Sequence, residues 1–70
     1  MGEEFGKRLQ SLREEQAISQ ADLAERAGMH KQSISKIERG ERLPTWPTVL
    51  ALAKALGASL DDFRGAKDKW

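Results

Sequence analysis

The sequence predicts an all-α fold, an orthogonal bundle of five short helices joined by tight turns. Three observations carry that expectation. Apolar residues recur at helical spacing, and no stretch alternates as a strand would. Glycines stand where helices should stop, at Gly28, Gly40 and Gly57. Residues that cap helices stand where the next ones should start, at Ser19, Thr45 and Ser59.

Taken in order, Phe5, Leu9 and Leu12 place one apolar stripe on a helix over residues 3–16. Ser19 is the expected N-cap of the second helix, and Asp22 in its first turn completes a capping-box variant. Leu23, Ala24 and Ala27 form its inner face. Gly28 should end it in the left-handed conformation, with Met29 plugging the turn. The third helix is expected to begin at His30 and run to Arg39, where Gly40 stops it. Pro44, Thr45 and Pro47 mark a turn and a capped restart. Leu50, Ala53 and Leu56 are the expected inner face of the fourth helix. Leu60 and Phe63 should anchor a last short turn capped by Ser59. Residues 64–70 are expected to fray, leaving one domain, 1–70, with its core over residues 5–63.

Composition narrows the function. A chain of this length buries only about 60% of its unfolded surface, so its core is marginal. The sequence holds no cysteine, which rules out disulfides and thiolate metal sites and suits a cytoplasmic location. No apolar run is long enough to span a membrane, and no signal-peptide h-region opens the chain. One histidine, no Gly-rich phosphate loop and no metal-ligand spacing leave no catalytic constellation, so neither an enzyme nor a bound cofactor or metal is expected. The formal net charge of +1 conceals a gradient. Residues 1–27 hold four basic and six acidic groups, a net of −2; residues 28–46 hold four and two, +2; residues 47–70 hold four and three, +1.

The third helix explains that gradient. At about 100° per residue, Ile34 and Ile37 lie together and must face inward. The opposite side carries Gln32, Ser35, Lys36 and Arg39, and Lys31 and His30 project from the N-terminal end. This face has no apolar residue. Gln suits adenine and Lys suits guanine in the major groove, while Ser35 allows close approach. Such a face must be held rigidly from behind. The small Ala24, the sharp turn at Gly28, and the wedge of Leu23, Met29, Ile34 and Ile37 provide that support at the spacing of two steeply crossed helices.

The run "SQADLAERAGMHKQSISKIERGERLP" followed by "LALAKALG" resembles the repressor/Cro-type helix-turn-helix family over residues 5–63. The resemblance implies a five-helix domain that binds double-stranded DNA and regulates transcription, usually as a homodimer on a palindromic operator. It implies base contacts from Lys31, Gln32, Ser35 and Lys36, with helix 31–39 in the major groove. It implies phosphate contacts from Gln20, at the N-terminus of the second helix, and from Ser33 and Arg39. Arg13 and Glu38 match a pair that the family often joins by a salt bridge, and Glu38 should then be half-buried beside the first helix. The chain departs from the family pattern at His30, where Ser or Thr is commoner as the cap, and at "PTWPT".

Several positions admit two readings. His30 is expected at the surface or on a phosphate, since no second ligand accompanies it for a metal. Arg42 is either a phosphate contact or a solvated loop charge. Asp61 and Asp62 in a first turn complement the helix dipole. Trp46 is expected to pack at the start of the fourth helix and Trp70 to lie in the tail, with a dimer contact as the alternative for both. The competing reading of the whole chain is a protein-interaction module, an antitoxin or adaptor, with a toxin or another regulator as partner. The basic, apolar-free third helix favours a DNA-binding regulator, expected to repress.

Overall fold

The computed structural model describes residues 2–64; Arg64, expected to open the frayed tail, instead closes the last helix, and the rest of that tail with Trp70 lies outside the described residues. Five helices follow one another: α1 (Gly2–Glu15), α2 (Gln20–Ala27), α3 (Lys31–Glu38), α4 (Trp46–Leu56) and α5 (Leu60–Arg64). No strand occurs among the described residues. The fold is all-α, and α3 packs on both α1 and α2, α2 on α4, and α1 on α5.

The boundaries have local causes. Glu15 ends α1, one residue before the expected limit, because Ala17 turns the chain with a left-handed φ of 57°. The Gln16 side chain then donates to the Leu56 carbonyl, tying this turn to the end of α4. Ser19 Oγ accepts from the Asp22 N–H at 3.0 Å, satisfying one of the free donors at the start of α2. Gly28, at φ 70°, closes α2, and the Met29 N–H reaches back to the Ala24 carbonyl at 2.8 Å. Gly40, at φ 77°, serves α3 in the same way, with the Glu41 N–H on the Lys36 carbonyl. Thr45 caps α4, where Pro47 occupies the first turn without loss of a hydrogen bond.

The core is built from Leu9, Leu12, Leu23, Ala24, Ile34, Ile37, Leu52, Ala53, Leu56 and Phe63. Phe63 stacks on Phe5 with ring centroids 5.1 Å apart, which pins α5 to α1. Met29 is half-buried against this core, in the α2–α3 turn.

Five expectations are corrected. His30 does not begin α3; it is the N-cap, with extended backbone and no side-chain capping bond, and α3 ends at Glu38 with Arg39 as its C-cap. Leu50 is 44% exposed, and Leu52 takes its place on the inner face. At about 100° per residue, Leu50 lies roughly 110° from the centre of the Leu52–Ala53–Leu56 stripe. Trp46 does not pack at the start of α4 but is 61% exposed. It occupies the first helical position, where side chains lean back over the preceding loop and away from the core. Leu60 is likewise exposed, which leaves Phe63 as the buried apolar residue of α5, while Arg8 of α1 donates to the Asp62 carbonyl. Finally, Ser59 stands at the start of α5 as expected, but the side-chain capping bond is made by Asp62, whose carboxylate accepts from the Ser59 N–H at 2.9 Å.

Candidate nucleic-acid interface

α3 is amphipathic, and its two faces have different tasks. Ile34 and Ile37 are fully enclosed by α1 and α2, which fixes the rotation of the helix about its axis. That rotation leaves Lys31, Gln32, Lys36 and Arg39 exposed, with Ser33 and Ser35 half-buried at the flanks. No apolar side chain interrupts this surface.

A polar cluster behind α3 fixes it further. Glu38 retains only 7% of its accessible surface and is the one buried charged residue among the described residues. It is therefore buried more deeply than the expected half. Arg13 grips it with two donors, Nε to Oε2 at 2.7 Å and Nη2 to Oε1 at 3.2 Å. The third guanidinium nitrogen, Nη1, donates to the Ile18 carbonyl at 2.9 Å. Gln20 Nε2 completes the cage on Oε1 at 2.9 Å. The Glu38 carboxylate beside it raises the Arg13 pKa above its ordinary value, against the opposing effect of burial. The Glu38 carboxylate thus bonds α1 and the start of α2 to the last residue of α3, and Arg13 adds the α1–α2 turn. Gln20, expected on a phosphate, is the first residue of α2, and its amide donor is bonded to Glu38.

α1 makes one further contact with α3 that hydrophobic spacing does not reveal. Gly6 is buried, and a Cβ there would collide with the Ile37 carbonyl oxygen and stand 2.6 Å from that of Glu38. The signal was a glycine inside a helical pattern, which marks close backbone approach.

On the exposed face the arginines reach back along the helix. Arg39 Nε and Nη2 donate to the two Glu41 oxygens at 2.9 and 3.1 Å, and Nη1 donates to Ser35 Oγ at 2.7 Å. The hydrogen bond to Glu41 raises the Arg39 pKa, and the same bond lowers that of Glu41. Arg42 Nη1 donates to Ser33 Oγ at 3.1 Å. Lys31 and Lys36 hold no ion pair in the described residues. The surface so formed presents two lysines, an amide and two arginines. It is suited to the phosphates and base edges of a duplex. No group of three or more His, Cys, Asp or Glu able to hold a metal occurs among the described residues.

Comparison with known proteins agrees with this geometry. Residues 4–64 match the family described as helix-turn-helix domain. The uncharacterized HTH-type transcriptional regulator y4dJ of Sinorhizobium fredii is 41% identical over 54 residues, covering 77% of this chain and 70% of that protein. The HTH-type transcriptional regulator PuuR of Escherichia coli is 38% identical over 64 residues, 91% of this chain but 35% of PuuR. Among solved structures, the restriction-modification controller protein C.AhdI from Aeromonas hydrophila superposes with a TM-score of 0.86 at 32% identity, covering 89% of this chain and 94% of that one. The DNA-binding domain of the P22 C2 repressor does so with a TM-score of 0.81 at 37% identity, covering 84% and 78%.

Proposed function

This chain belongs to the helix-turn-helix domain family and regulates transcription by binding DNA, and from that premise we propose how it does so. It inserts α3 into the major groove of a palindromic operator, one copy per half-site, and acts as a repressor in the cytoplasm. The observation that carries this reading is the pairing of an exposed, apolar-free α3 face with a buried Arg13–Glu38–Gln20 cluster directly behind it. A reading surface must be rigid to discriminate bases, since a shift of a few tenths of an ångström spoils a bidentate hydrogen bond.

In this reading Gln32 and Lys36, opposite Ile34 and Ile37, meet base edges, with Lys31 and Ser35 beside them. Ser33, Arg42 and His30 stand at the flanks and meet phosphate, as does the N-terminus of α2 at Gln20. The second copy docks around the end of α4 and residues 60–64, where Leu60 is exposed. An adaptor role toward another protein gains nothing from α3, whose outer face offers no apolar anchor.

Selection of bound duplexes from a random pool tests the proposal. The expected result is one preferred sequence with inverted half-sites about one helical turn apart. A pool that comes through unenriched would reject the reading.

A further inference from the structure

From the position and bonding of Arg39, we infer that this residue reads a guanine, and that Glu41 is the positioning residue that makes it a reader instead of a phosphate clamp. This rests on the reading of α3 as the groove-facing helix.

The placement comes first. At about 100° per residue, Arg39 falls between Gln32 and Ser35 on the side of α3 opposite Ile34 and Ile37. Its Nη1 is hydrogen-bonded back to Ser35, one turn earlier, which draws the side chain toward the helix and not toward a groove wall. The guanidinium therefore lies along the exposed face, among the side chains assigned to bases.

The donor count comes second. A guanidinium has five N–H donors in one plane. Three are engaged: Nε and one on Nη2 by Glu41, and one on Nη1 by Ser35. One N–H on each terminal nitrogen remains. With Ser35 on the Nη1 hydrogen nearer Cδ, these two donors are adjacent and form the fork that pairs with O6 and N7 of guanine in the major groove.

Charge comes third. Bound side-on to a carboxylate, Arg39 forms a nearly neutral unit with Glu41. Such a unit is weakly attracted to phosphate wherever it meets DNA. It gains only where an acceptor pair stands in front of the fork. To clamp a phosphate, Arg39 would have to leave Glu41 and abandon that carboxylate beside a polyanion. Glu41 therefore lowers binding to arbitrary DNA and leaves the guanine contact intact.

The test uses the full chain and three variants, Arg39→Lys, Arg39→Ala and Glu41→Gln, each checked for an unchanged circular dichroism melt. Duplexes are selected from a random pool. Affinity is then titrated at several salt concentrations on the selected duplex, on one with single G·C pairs replaced by A·T, and on a random duplex. Arg39→Lys keeps the charge but loses the fork. It should lose roughly 5- to 150-fold on the selected duplex, bind random DNA at least as well as the wild type, and drop one G·C preference per half-site. Glu41→Gln should bind random DNA more tightly, with a salt slope steeper by about one per subunit, so its specificity ratio narrows. If Arg39→Lys matches the wild type everywhere and Arg39→Ala weakens all three duplexes alike, Arg39 is a phosphate contact and the inference is overturned, while selection by the wild type leaves the function standing. If the wild type selects nothing, both fall together.

Discussion

Glu38 shows what a single residue contributes to the candidate reading surface. Its carboxylate is buried and accepts three hydrogen bonds, two from Arg13 and one from Gln20. Glu38→Ala would leave Nε and Nη2 of the largely buried Arg13 guanidinium and the Gln20 amide without Glu38, while Nη1 keeps the Ile18 carbonyl. Breaking a buried pair in this way costs about 3–5 kcal/mol, far above the 0–1 kcal/mol of a surface pair. A domain of this size has only about 4–10 kcal/mol in total, so urea denaturation should show a large drop in the midpoint. An unchanged midpoint would show that the cluster is dispensable. The double variant Arg13→Met, Glu38→Leu should recover part of the loss, because it removes both charges together. The pairing of Arg13 with Glu38 was legible in the sequence through family resemblance. The third donor was not, since the resemblance directs Gln20 to a phosphate, and only the placement of α3 brings Glu38 within reach of its amide. Gln32 offers the complementary experiment on the outer face. Gln32→Ala should cost about 1–3 kcal/mol on the selected duplex and little on random DNA, leaving the salt slope unchanged. Equal losses on both duplexes would mean that α3 does not read sequence through this side chain.

Elements are where the sequence was most and least informative. Caps decided the boundaries: Ser19, Gly28, Gly40, Thr45 and Gly57 each act within one turn of their own position, so no tertiary knowledge was needed to find them. Inner faces depend on which way a neighbour lies. Leu50, Ala53, Leu56 and Leu52, Ala53, Leu56 are both acceptable stripes, and only the placement of α2 against α4 chooses the second. Close backbone approach is also invisible in a hydrophobic pattern, and Gly6 tests it. Gly6→Ala gains about 1 kcal/mol of helix propensity. It also pushes a methyl group into the backbone carbonyls of Ile37 and Glu38, which cannot rotate aside. Overpacking of this kind costs about 1–3 kcal/mol. The net effect should be a loss of up to roughly 2 kcal/mol, together with weaker selection of DNA at temperatures where the variant is still folded. A stabilised Gly6→Ala would show that α1 and α3 stand further apart. The α1–α2 turn gives the opposite sign. Ala17 holds a left-handed φ of 57°, a conformation costing a side-chain-bearing residue about 1–2 kcal/mol. Ala17→Gly removes that cost and adds about 0.4–1 kcal/mol of chain entropy to the unfolded state. A rise in Tm of about 3–6 °C is expected, and a fall would place the strain elsewhere.

For the molecule as a whole, a net charge of +1 gives little general attraction to DNA, so affinity must come from how the cations are arranged. On the α3 side, Lys31, Lys36 and Arg42 carry no ion pair among the described residues, whereas Arg39 is neutralised by Glu41. That leaves three free cations per chain to displace counterions. Each cation set against the duplex, at a base edge or at a phosphate, displaces counterions and contributes about 0.9 to the slope of log affinity against log salt. One chain on a single half-site should therefore show a slope of roughly −3, and two chains on an inverted repeat roughly −5. The distinction matters because a single helix in one groove segment reads only about four to six base pairs, whereas two-fold pairing doubles the site without a new contact type. Titrations between about 50 and 200 mM salt on the selected duplex, and on the same duplex with one half-site scrambled, separate the two cases. A steep slope on the first duplex should fall toward half on the second, with sedimentation showing two chains and then one. Arg42→Ala should flatten the slope on the intact duplex by about two, one for each copy. If both duplexes give the shallow slope and one bound chain, the molecule reads DNA as a monomer, and the exposed end of α4 has some use other than a second copy.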